Sequence, residues 1–251
     1  MDLKYIIFDL EFNQSGNKED KIMQLPFEII QIGALKLDEN FKTISTFNEL
    51  VKPTVYKNVL SYIQELTKIT DEMVSTAKNF KDVYYDFMNF IGKDDITFII
   101  WGTVDLKELY KNIIYYNLPT ENIPKLYIDI QDYTSKYFKA PKGKRIGLRN
   151  ALDLLNIYVK GDFHNAFNDA YYTAQVFKKL YTSSIKEKTY SHSSTRIKTE
   201  SKKIIDYDGL ILQIEKMYNR KLSSEEISMI KLAYNMGKTN QFLIDLDKRN
   251  K

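Results

Sequence analysis

The chain has 251 residues, 43% of them hydrophobic and 14% aromatic, enough for one sizeable core with room for a small appendage. It contains no Cys, which excludes disulfides, zinc–thiolate sites and cysteine nucleophiles. The net charge of +4 is unevenly placed: from Ser184 onward 14 Lys/Arg face 9 Asp/Glu, whereas Met1–Ser183 holds 23 against 24.

Tyr5–Leu10 (YIIFDL) is a short apolar run rich in β-branched and aromatic residues, the pattern of a buried strand. Phe27–Leu37 and Phe41–Val51 are two further strands. The short Asp38-Glu39-Asn40 turn between them predicts an antiparallel hairpin. Ser61–Leu66 and Asp71–Ala77 are predicted short helices, the second capped by Thr70 or Asp71. Phe80–Ile91 places Phe80, Val83, Tyr84, Phe87 and Ile91 at helical spacing. Thr97–Trp101 is a buried strand broken by Gly102, and Val104–Tyr116 follows as a helix. Leu126–Ile130 is a fifth strand, Gly147–Leu155 a short helix, and Ala166–Leu180 a longer one. A hairpin followed by strand–helix alternation implies a mixed sheet with helices on its faces.

The composition then shifts. Residues 183–203 are polar and rich in Ser, Thr and Lys, the signature of a linker. Helices are predicted at Tyr207–Tyr218 and Ser223–Tyr234, the latter opened by a Ser223/Glu226 capping box, with a third at Asn240–Leu246. The expected organisation is a main domain at 1–182, a linker at 183–203 and a helical segment at 204–251. The helical segment is too short for a large core and is a candidate for binding a protein partner. Its basic excess suits nucleic-acid phosphates, although solvated helix faces carry such charge equally well. The start shows no secretory leader, and no apolar run approaches a membrane span, so a soluble cytoplasmic protein is expected.

Five residues stand where chemistry would want them. Asp9 and Glu11 lie two apart at the first strand's end, so both side chains share a face. Two carboxylates so placed repel each other, and a hard divalent cation would relieve them. Asp105 opens the helix after Thr97–Trp101, where its charge suits the helix dipole. His164 and Asp169 stand five apart at the start of a late helix, and a His can take a proton near neutral pH. Taken singly, each has a bland reading: a solvated strand-end pair, a first-turn acid, a surface His. His192, in the polar stretch, is expected to be solvated, and Trp101 to be core.

In order and spacing the five together resemble the DEDDh branch of the 3′–5′ exonucleases, the DnaQ-like superfamily. Its members include the proofreading subunit of bacterial DNA polymerase III, ribonuclease T and ERI-1-like exonucleases. FDLEFNQ, PFEIIQIGALKLD, FNELVKP, ELTKIT, WGTVDLKEL, IGLRNALDLLNI and HNAFNDAYYTAQVF carry the resemblance over roughly residues 1–182. It implies a ribonuclease H-like α/β fold with a mixed five-stranded sheet, and hydrolysis at the 3′ end of single-stranded RNA or DNA. It further implies two Mg²⁺ or Mn²⁺ ions on Asp9, Glu11, Asp105 and Asp169, with Glu11 aligning the attacking water and His164 as general base. Phe12 is a candidate for stacking on a terminal base, with membership of the core an equal alternative. Asn13 and Gln14 are candidates for the terminal sugar. Two other readings remain open: a regulatory protein on an exonuclease fold, like the inhibitors of sporulation kinases, and a polymerase proofreading subunit.

Overall fold

The fold is arranged around its first strand, β1 (Leu3–Asn13). The computed structural model describes residues 3–17, 20–191 and 206–238, with side chains as far as Tyr234 in the last stretch. After β1 come β2 (Glu28–Leu37), β3 (Thr43–Lys52), α1 (Ser61–Thr67), α2 (Asp71–Ser75), β4 (Lys78–Asn79) and α3 (Phe80–Ile91). They are followed by β5 (Asp95–Ile100), α4 (Val104–Tyr115), β6 (Leu126–Asp129), α5 (Ile130–Tyr137), α6 (Leu148–Leu154), α7 (Ala166–Leu180) and β7 (Lys188–Thr189). The sheet order is β4-β3-β2-β1-β5-β6-β7, with β1 antiparallel to β2 and parallel to β5.

Strand alternation divides β1 between two cores. Ile6, Phe8 and Leu10 pack under α3 and α4 with Phe87, Phe98, Leu106 and Leu109. The Phe8 and Phe98 rings meet edge-on at 4.9 Å. Tyr5 and Ile7 point the other way, against Ala170, Val176 and Phe177 of α7 and Leu152 of α6. Each fully buried side chain of this size contributes roughly 1.5–3 kcal/mol.

Most predicted elements are found within a residue or two, and all five apolar residues singled out in α3 are buried. Four expectations need correction. The five expected strands are joined by two-residue strands at each edge, β4 and β7. Phe41 does not begin β3. It sits in the turn at φ 62, where the Asp38 carboxylate accepts the N–H groups of Asn40 and Lys42. The strand read as Leu126–Ile130 ends at Asp129, whose side chain caps α5 by accepting from Asp132 N at 3.0 Å. That helix was not anticipated. Finally, the start of the supposed linker belongs to the sheet: Tyr190 N–H donates to Lys125 C=O at 2.7 Å, and its ring lies 4.9 Å from Tyr110.

The chain divides into two units, Met1–His192 and Ser193–Lys251. In the second, α8 (Tyr207–Tyr218) and α9 (Ser224–Lys238) form a helix pair. The capping box is formed: Ser223 N–H donates to Glu226 at 2.8 Å, and Glu226 N–H to Ser223 Oγ at 3.2 Å. The expected helix Asn240–Leu246 and His192 lie outside the described residues. No helix among the described residues is long and apolar enough to cross a membrane.

Candidate active site

Asp9 and Glu11 continue the face of β1 that begins with Tyr5 and Ile7, so they emerge under α7 where the apolar row stops. They lie within the strand rather than at its end, just before a bulge between Glu11 and Phe12. Beyond the bulge, Ile29 stands opposite Phe12 and its N–H donates to the buried Asn112 side chain at 3.1 Å. Across from Asp9 in β2 stands Gly33. A Cβ there would lie 2.1 Å from Phe167 N and 2.2 Å from Ala166 C. Only glycine lets the first turn of α7 lie directly on β2. Gln31, opposite Glu11, ties down the same turn by accepting from Ala166 N–H at 3.1 Å.

That close approach delivers Asp169, a buried residue in the first turn of α7, to the two strand carboxylates. His164 lies just before Asn165, the N-cap, at φ 61, an uncommon conformation for a non-glycine residue. Its backbone N–H donates to Asp169 Oδ2 at 3.0 Å. One ligand atom each from Glu11, His164 and Asp169 can be chosen so that all lie within 4.8 Å of one another. Asp105 arrives from the opposite side on the first turn of α4, after Gly102 turns the chain at φ 86.

The electrostatics are those of buried acids with little counter-charge. Burial, then Asp105, Asp169 and Glu11, push the Asp9 carboxyl well above its ordinary range. Burial, then Asp169 and Asp105, push Glu11 up to about 8. Burial pushes Asp105 up to about 7, against a lowering backbone hydrogen bond. Asp169 is raised by burial, although the His164 N–H, the His164 side chain and Arg149 counter it. Its Oδ1 is buried and has no hydrogen-bond partner. An orphaned carboxylate oxygen among four converging acids is the donor set a hard divalent cation takes, so the residues fit such an ion.

A family model described as Exonuclease, of the RNase T type, matches residues 6–177. The chain belongs to this exonuclease family. The probable 3′–5′ exonuclease KapD of Bacillus subtilis is 26% identical over 175 residues, covering 69% of this chain and 82% of KapD. The PolC-type DNA polymerase III of Clostridium perfringens is 29% identical over 186 residues, which are 70% of this chain but only 11% of the polymerase. The nuclease domain of 3′hExo, a DEDDh family member solved with rAMP, has a TM-score of 0.63 at 19% identity, covering 75% of this chain and 96% of that one. Cell-death related nuclease 4 gives 0.60 at 20% identity, over 70% of this chain and 63% of that one. These likenesses place the sheet and its helices in the ribonuclease H-like exonuclease fold.

Within this fold the residues after Glu11 take separate places. Asn13 corrects the expectation of a free sugar-binding amide: it is fully buried. Its Nδ2 donates to Tyr56 C=O at 2.7 Å and Asn58 C=O at 3.0 Å, and its Oδ1 accepts from Leu60 N–H. It thus clasps the loop between β3 and α1. Glu28, unnoticed in the sequence, holds the same loop by accepting the N–H groups of Thr54, Val55 and Tyr56 and the Tyr116 hydroxyl. Gln14 donates to the Tyr62 hydroxyl on α1. Phe12 is partly buried, 6.0 Å from the Phe27 ring. Trp101 packs against the core under α7 as expected. Gly33 and Gln31 were also missed, though a glycine and an amide inside an otherwise apolar strand are a signal of close approach.

Proposed function

We propose that this chain is a divalent-metal-dependent 3′–5′ exonuclease that removes nucleotides from the 3′ end of single-stranded RNA or DNA. The observation that carries the reading is the convergence of Asp9, Glu11, Asp105 and Asp169, with His164 beside them, around one buried and unpartnered carboxylate oxygen. The family membership and the 3′–5′ activity named for KapD support it. So does the rAMP bound to the nuclease domain of 3′hExo, a mononucleotide of the kind expected here as product.

Two Mg²⁺ or Mn²⁺ ions on the four carboxylates would supply the positive charge that a pentacoordinate phosphorus requires. Glu11 aligns the attacking water. His164, at the exposed rim and tied by its backbone to Asp169, takes the proton of that water at a ring nitrogen. Asp169 holds the His164 loop and faces the ion site at once, so proton acceptor and ion site keep a fixed relation.

Matched 5′-labelled RNA and DNA oligonucleotides, single- and double-stranded, test this with Mg²⁺ or Mn²⁺ present. Stepwise 3′ shortening with mononucleotide release is expected, none with chelator or in Asp9→Ala. In His164→Ala the rate should fall by roughly 10²–10⁴, the usual worth of a general base. Equal shortening by wild type and Asp9→Ala, or an inert wild type on every substrate, overturns the reading.

A further inference from the structure

Between Tyr133 and Leu152 the sequence carries six Lys/Arg and no Asp/Glu, while the rest of Met1–Ser183 carries 17 against 24. The run spans the end of α5, the loop to α6 and the first turn of α6. The loop is a held structure. Ile146 N–H donates to Ser135 Oγ at 3.0 Å, and Gln131 Nε2 donates to Ile146 C=O at 3.0 Å. Its tip is a type II turn: Lys144 N–H donates to Pro141 C=O at 2.9 Å, with Gly143 at φ 81 in the position that needs it. The turn presents Lys142 and Lys144 to solvent, and neither meets an acid among the described residues.

Beside them lies a groove of about 280 Å³, lined by Lys136, Lys142, Lys144 and Arg145 against one acid, Asp132. Asp132 is already matched by Lys136 at 2.9 Å and Lys188 at 3.4 Å. Arg145 reaches from the groove to the end of β6 and the turn before α4. It donates to Asp129 Oδ2 at 3.1 Å, and its Nη1 lies 3.6 Å from where a Cβ on Gly102 would stand, three residues before Asp105. On the other flank Arg149 lies 4.0 Å over the ring of Phe163, the neighbour of His164. Arg149 thus acts on Asp169 from the His164 side, and Arg145 lies by the Gly102 turn that leads to Asp105. A site of four acids repels a polyanion, and adjacent cations are what would hold one there.

We infer that the α5–α6 loop is the surface that binds the polynucleotide strand 5′ of the bond being cut, with Lys142, Lys144 and Arg149 meeting its phosphates. This rests on the exonuclease reading. The exposed Tyr137 ring beside the loop offers a face on which a base can stack.

The test compares full-chain wild type with Lys142→Ala/Lys144→Ala, whose side chains hold nothing in the fold, and with a control pair, Lys81→Ala/Lys93→Ala. Binding of a fluorescent single-stranded fifteen-mer is read by anisotropy without metal, and cleavage of the fifteen-mer and a trimer is read with metal. In the loop variant Kd should rise about ten-fold. The slope of log Kd against log salt should flatten by about 1.4, at roughly 0.7 for each phosphate contact on a single strand. The ratio of fifteen-mer to trimer kcat/KM should fall about ten-fold, whereas a merely structural defect would lower both alike. An unchanged slope and ratio, or an equal loss in the control pair, overturns the inference. A wild type that cuts neither oligonucleotide, with binding still lost in the loop variant, sinks the exonuclease reading and leaves the strand surface standing.

Discussion

The two ends of the sheet keep their acids in opposite company. At one end Asp9, Glu11, Asp105 and Asp169 converge, and burial, then for the first three their acidic neighbours, raises their pKa values. At the other, where β5 begins, Asp94 lies between Lys36 at 2.7 Å and Lys4 at 2.9 Å. Hydrogen bonds from Lys36 and then Lys4 hold its carboxyl below the usual range. The same chemical group serves the fold at one end and opposes it at the other. Burying like charges is tolerated only where an ion or a substrate is to complete the site.

The largest break in this arrangement should come from a residue with no charge. Gly33→Ala puts a methyl group 2.1 Å from the backbone of α7. A helix backbone cannot yield as a side-chain end can, so α7 must move off β2 and carry Asp169 and His164 with it. We expect a loss of about 3 kcal/mol, at the upper end for overpacking, and activity as low as in His164→Ala. Chemical denaturation and the oligonucleotide assay check the two halves. An active, stable variant would show that the helix has room the geometry denies it.

That contrast also marks what could be read from the chain alone. Asp9, Glu11, Asp105, His164 and Asp169 were legible because chemistry restricts their identity and the elements on which they stand. The buried row of β1 was legible because its residues are apolar without interruption. Asn13 was misjudged because side-chain type says nothing of direction: an amide after Glu11 can as well clasp a loop as touch a sugar. Helix α5 was missed because Asp129 ends a strand and caps a helix with no turn between. The basic loop vanished because charge was summed over Met1–Ser183, where 24 acids cancel it, although its six cations stand in one acid-free stretch.

The acidic end gives a pH dependence of definite sign. Glu11 and Asp105 bind protons in the fold up to about pH 8 and 7, whereas in the unfolded chain they release them near 4.5 and 3.8. The native state therefore holds more protons between these limits, and stability must fall as pH rises from about 5 to 8. For the chelated protein we expect a loss on the order of 2 kcal/mol, roughly 4–8 °C in melting temperature at this size. Asp9→Asn should remove part of this decline and melt higher than wild type at pH 8 without metal, while remaining inactive. Added Mg²⁺ should raise the wild type most, because the ion binds the native carboxylates and not the unfolded chain. A chelated wild type whose melting temperature is level or rising from pH 5 to 8 would mean that the four acids do not crowd one another.

The paired end should respond less and in the opposite direction. Asp94→Asn takes the partner from Lys36, whose side chain is only 9% exposed and which also donates to Ile91 C=O at 2.9 Å. The Asp94 side chain is itself 33% exposed, so solvent screens the pair. The loss should be about 1 kcal/mol, or roughly 2–4 °C. Because the folded carboxyl titrates below its unfolded value, this contribution is complete above about pH 4 and fades as pH falls through the folded value. Wild type and Asp94→Asn should thus differ at pH 7 and draw together as pH falls below about 4, the reverse of the behaviour at the acidic site. Activity at saturating substrate should follow the folded fraction alone, since this pair lies at the far end of β1 from Asp9. If Asp94→Asn instead impaired turnover in fully folded protein, the division of the sheet into a bonded end and a reactive end would be wrong.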